Sequence, residues 1–178
     1  LVYTLSLHDA LPISFNYFTI GNQDTLDPHY AYDTSSSEAI YQVYETLIAY
    51  DGSSVSEFEP LLAKRVPSQK NGLISEDGLE YTFELREGIE FSNGNKLTPE
   101  DVKYSFIRGM IFDRTGGPVW MLYEPLLDMS SLRQLSDEVV GVEDPNKLTA
   151  EQSKKVYQKL DETISIDGNK ITFHLAKP

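Results

Sequence analysis

The stretch LREGIEFSNGNKLTPEDVKYSF, residues 85–106, decides the fold. Upstream of it Leu79, Tyr81, Phe83 and Leu85 alternate with Glu80, Thr82, Glu84 and Arg86, the period-two pattern of a half-buried strand. Glu87-Gly88 turns the chain, Ile89 and Phe91 are expected to resume the apolar face, and Asn93-Gly94 is a tight-turn signal. Thr98 is then an N-cap, Pro99 suits the first helical position, and Asp101 stands where a capping-box partner belongs. Val102, Phe106, Ile107 and Met110 give the helix that follows a buried face. Strand, turn, short strand and capped helix in this order make a β-turn-α unit, and the chain is expected to be α+β, of mixed α/β character.

Outward from this unit the same phrase occurs twice. Residues 74–85 (ISEDGLEYTFEL) and 164–175 (ISIDGNKITFHL) share Ile-Ser-x-Asp-Gly-x-x-x-Thr-Phe-x-Leu. Each reads as an Asp-Gly turn feeding an alternating strand, and the two are expected as hairpins in one sheet. Two copies are too few for a solenoid. Residues 35–37 are expected to cap a helix with Ile40, Val43, Tyr44, Leu47 and Ile48 as its stripe. Thr149 caps another over residues 148–160, with Val156, Tyr157 and Leu160 on its inner face and a charged, solvated outer face. Residues 15–20 are β-prone and run into a loop, GNQDTLDPH.

The chain has 178 residues, with 15 Lys and Arg against 28 Asp and Glu, a formal charge of -13. That length holds a real core, as one domain or as part of a larger protein. The negative balance argues against a nucleic-acid partner and against an anionic membrane surface. With no Cys there is no disulfide, thiolate zinc site or cysteine nucleophile. His8, His29 and His174 share no metal-ligand spacing, so neither metal nor cofactor is expected. No Ser/His/Asp order, P-loop or dinucleotide glycine pattern is present, and the acidic row from Glu76 to Glu90 reads as a solvated strand face rather than a catalytic pair. Residues 1–14, LVYTLSLHDALPIS, lack a basic n-region and are broken by His8-Asp9. They are expected to be a non-native leader, a translated adapter string.

Several motifs, in order, resemble the bacterial extracellular solute-binding proteins of family 5, the peptide, oligopeptide and nickel-binding group of ABC importers. They are Leu26-Asp27-Pro28, Tyr44-Glu45-Thr46-Leu47, Tyr50-Asp51, Pro60-Leu61-Leu62-Ala63, Asp77-Gly78-Leu79-Glu80-Tyr81-Thr82-Phe83 and the opening stretch. Arg65-Val66-Pro67 stands where that family usually has a Trp.

The resemblance implies the N-terminal part of a two-lobed, type II clamshell fold with an inserted β-rich subdomain. Residues 15–52 would begin the main lobe, and residues 53–175 would form the insert, ending in the strand that returns to that lobe. Residues 176–178 would be a truncated continuation, with the second lobe absent. It implies a monomeric, exported, non-enzymatic receptor, periplasmic or lipid-anchored, that hands di- and oligopeptides to ABC permease subunits. Extended peptides would be held through their main chain in the cleft. By motif position Asn22, Gln23 and Asp24 would face that cleft, with Trp120 or Tyr123 packing on ligand. Ordinary turn chemistry for the first three and core burial for the two aromatics are the competing readings. Rival functions are a nickel-complex or oligosaccharide carrier of the same family and an acidic hydrolase.

Overall fold

The computed structural model describes residues 20–112 and 118–177. Its elements are α1 (Thr34–Tyr41), β1 (Ile48–Tyr50), β2 (Phe58–Pro60), β3 (Glu80–Glu84), α2 (Pro99–Ile111), α3 (Trp120–Leu127), α4 (Leu132–Val140), α5 (Ala150–Asp161), β4 (Ile164–Asp167) and β5 (Lys170–His174). The expected leader at residues 1–14 and nearly all of the expected strand at 15–20 lie outside the described residues, as do residues 113–117.

The repeated phrase builds the central sheet, in the order β3-β5-β4, all antiparallel. Thr82 and Thr172, equivalent positions of the two copies, face each other with hydroxyls 2.8 Å apart. Tyr81 pairs with Phe173 and Phe83 with Ile171, so the pattern that one strand buries meets the pattern that the other buries. The second copy forms the expected hairpin through Gly168, whose φ of 58° an L side chain rarely adopts. The first copy closes only through a bridge between Ile74 and Tyr81. Its turn is instead tied by Ser75, whose hydroxyl donates to Asp77 and accepts from the Leu79 and Glu80 amides.

Helix α2 lies across this sheet. Asp101 reaches back to accept from both the backbone N–H and the hydroxyl of Thr98, each at 2.8 Å, which starts the helix where the sequence places it. Val102, Ile107 and Met110 are buried, and Phe106 meets Phe173 edge-on at 4.7 Å. The short strand expected from Ile89 and Phe91 reduces to one bridge, Glu90 to Lys96, and Phe91 is exposed. Among the described residues no third strand lies beside that segment, and an isolated pair of short strands buries too little to persist. Helices α4 and α5 pack on each other, and α5 packs also on α2 and β4. Thr149 and Gln152 form the cap of α5; Val156 and Leu160 are buried, whereas Tyr157 is about half exposed.

Near the start of the described chain two expectations change. Asp33, not a serine, caps α1, accepting from the Ser36 amide at 2.8 Å. The helix ends at Tyr41; Val43 and Tyr44 are exposed, so no packed face extends it, and a helix this short needs packing to persist. Leu47 instead enters the core and Ile48 starts β1. The hairpin partner β2 was hidden by Pro60, a residue that argues against a strand except at an edge.

Candidate ligand-binding site

Ser35 and Ser36, at the first turn of α1, are almost wholly buried because they hold the preceding loop rather than cap the helix. Ser35 Oγ donates to the Gly21 carbonyl at 3.1 Å, and Ser36 Oγ accepts from the amides of Asp24 and Thr25 at 3.0 and 3.2 Å. Asn22, Gln23 and Asp24 therefore ride on an anchored backbone with their side chains exposed. Further along, the Asp27 amide donates to Thr25 Oγ1, and the His29 amide donates to Asp27 Oδ1.

From the other side α2 grips the same loop. Arg108 meets Asp27 with two parallel charge-assisted hydrogen bonds of 2.9 and 2.6 Å and touches His29 Nδ1 as well. The His29 ring also bonds the backbone carbonyl of Ser105. The Arg108 guanidinium beside it lowers the Asp27 carboxyl to about 2. Burial, and then the same guanidinium, push the His29 imidazole below its ordinary value. Asp27 in turn raises Arg108.

Arg108 also lies over the Phe112 ring, 4.7 Å from its centroid, and Phe112 meets Tyr30 edge-on at 6.4 Å. Tyr30, Phe112 and Trp120 line one part of a groove of about 1070 Å³. Arg133, Asp144, Asn146 and Tyr157 line it from α4, the turn before α5, and α5. Trp120 is about half exposed there. Tyr123 is different: it is fully buried and its hydroxyl donates to the Met110 carbonyl at 2.8 Å. Tyr123 is thus a core residue, three positions along α3 from Trp120.

The structure sets Trp120 and Tyr30 on one wall and runs the loop with Asn22, Gln23 and Asp24 into Tyr30. Arg108, Asp27 and His29 are the residues that sequence reasoning missed as a unit. The available signal was a lone Asp-Pro-His in a loop and an Arg on the partly buried side of α2. Glu84, one of the acidic row, is paired with Lys64 and Arg65 at 3.0 and 3.2 Å, so Arg65 has a partner on β3. Among the described residues no group of three or more His, Asp or Glu is placed to hold a metal ion. None of the described helices is long and apolar enough to cross a membrane.

The aromatic wall thus stands beside an open groove, with the anchored loop leading into Tyr30. Residues 57–178 match the model of the bacterial extracellular solute-binding proteins, family 5 middle region. Heme-binding protein A of Haemophilus influenzae is 37% identical over 81 residues, covering 42% of this chain and 14% of that protein. The oligopeptide-binding protein OppA of Bacillus subtilis is 32% identical over 82 residues, 46% of this chain and 14% of that one. The structure of Listeria monocytogenes OppA bound to peptide superposes with a TM-score of 0.57 at 23% identity, over 85% of this chain and 25% of its own.

The chain belongs to the family 5 bacterial extracellular solute-binding proteins. Its fold is that of part of an OppA-type binding protein, mixed helix and sheet. It spans 14% of the length of those two curated relatives and 25% of the solved one.

Proposed function

We propose that this chain is part of the substrate-capturing component of an ABC importer, taking di- and oligopeptides outside the cytoplasmic membrane and delivering them to a permease. The observation that carries this is the exposed loop of Asn22, Gln23 and Asp24. It is anchored by Ser36 on one side and Arg108 on the other, and it leads into the Tyr30, Phe112 and Trp120 wall. An ordered loop offers amide and backbone groups to an extended peptide at little further entropic cost, and main-chain recognition tolerates varied side chains. Trp120 gives such a ligand an amphipathic surface to pack on. The family and the likeness to a peptide-bound OppA support the reading. No bond is made or broken in this role.

The test is a melting screen of the gene product containing this chain against tri- to pentapeptides, haem and maltotriose. Peptides at about a hundred times their dissociation constant stabilise by roughly 2.7 kcal/mol, a shift of several degrees. Stabilisation by haem or by the oligosaccharide, with none by peptides, would replace the peptide reading with that of another carrier.

A further inference from the structure

We infer that Arg108 and Gly109 form a seat on α2 that sets the conformation of the loop at residues 21–30 and of the aromatic wall behind which it lies. Arg108 touches both. Its two hydrogen bonds fix the Asp27 carboxylate in one plane, and its face packs on Phe112, which in turn meets Tyr30. A fork of this kind fixes orientation as well as distance, which an ammonium does not.

Gly109 supplies the second, independent observation. A Cβ built there would lie 2.8 Å from His29 Cδ2, closer than real contacts allow. The His29 ring therefore needs a bare backbone on α2 to sit against Arg108. Glycine inside a helix is unfavourable, so its presence in the middle of α2 fits a need for close approach. That the seated loop is ligand-facing rests on the proposed peptide-binding role; that the seat orders the loop does not.

The experiment uses the full 178-residue chain for amide exchange and the gene product containing it for titration with trialanine, in wild type, Arg108→Lys and Gly109→Ala. Exchange of the Asp24 and Thr25 amides is expected to rise about tenfold in both variants through local opening, while the amides of β3 and β5 keep their wild-type rates. Arg108→Lys keeps the charge, and Gly109→Ala keeps the arginine, so the shared outcome isolates the seat. Unchanged Asp24 and Thr25 exchange in both variants overturns the inference. Equal acceleration in the sheet overturns it too, since Arg108 would then stabilise the whole fold. Trialanine affinity is expected to fall about tenfold with the loop, as a preorganised surface is lost. Looser loops with wild-type affinity overturn the link to the ligand. A wild type that fails to bind trialanine, with the exchange pattern as expected, sinks the peptide reading and leaves the seat standing.

Discussion

Arg108 and Asp27, 81 residues apart in sequence, join through two hydrogen bonds of 2.9 and 2.6 Å. Both side chains remain about a quarter exposed, at 25% and 30%. This pair lies between a surface ion pair and a buried one, so Asp27→Ala is expected to cost about 1–2 kcal/mol. A urea midpoint that does not move would show that solvent screens the pair completely.

One carboxyl and one imidazole in the same cluster make stability depend on pH in separate windows. Asp27 has a folded value depressed from 3.8 to about 2. Its contribution, at most about 2 kcal/mol, is present above 3.8 and is lost as pH falls from there towards 2. His29 is also depressed, from 6.5. Its neutral form is the one the fold favours, because burial and then the Arg108 guanidinium oppose a charge on the ring. Stability is therefore complete above 6.5 and begins to fall as pH drops below it. His29→Gln is expected to remove the higher window and keep the lower one in melts taken from pH 8 to pH 3. A wild-type melting temperature that is flat from pH 7 to pH 5 would contradict the role given to His29.

At the start of α2 the Asp101 carboxylate carries the cap, since it accepts from both Thr98 donors. Asp101→Ala and Thr98→Ala are each expected to cost about 1 kcal/mol, and the double variant less than the sum. Strict additivity in chemical denaturation would mean that the two side chains act apart.

Trp120 and Tyr123 separate a groove role from a core role on one helix. Tyr123→Phe removes the hydroxyl that donates to the Met110 carbonyl and is expected to cost about 1 kcal/mol, with ligand affinity unchanged. Trp120→Ala is expected to weaken peptide binding while changing the melting temperature little. The reverse pattern in calorimetry and thermal melts would exchange their assignments.

The Thr82 and Thr172 hydroxyls test the pairing of the repeated phrase. Replacing either with Val is expected to destabilise by about 1 kcal/mol, and replacing both by less than twice that, since an unpaired hydroxyl costs more than none. Two independent, additive losses would argue that the strands meet in another register.

Local chemistry explains why some of this was legible and some not. The turn and cap around Asn93, Thr98 and Asp101 are closed within a few residues, so their spelling carries their geometry. The repeat carried its own pairing, because the strands that share a pattern bury the same face. The length of α1 was not legible: the stripe from Ile40 to Tyr44 looks helical, but nothing among the described residues covers Val43 and Tyr44. Trp120 and Tyr123 could not be told apart by residue type, since either aromatic suits a wall or a core. The Asp27 and Arg108 link was invisible for a plainer reason. Neither residue departs from its local pattern, and only tertiary folding brings them together.

The sheet built from the repeated phrase has a further consequence for how the chain is made. Thr82 and Thr172 are separated by 90 residues. A nascent chain leaving the ribosome carries β3 exposed through the synthesis of every helix from α2 to α5. At about 5–20 residues per second that wait lasts roughly 5–18 seconds. The polar alternation along Glu80, Thr82 and Glu84 then shields an unpaired strand from neighbouring nascent chains until its twin emerges.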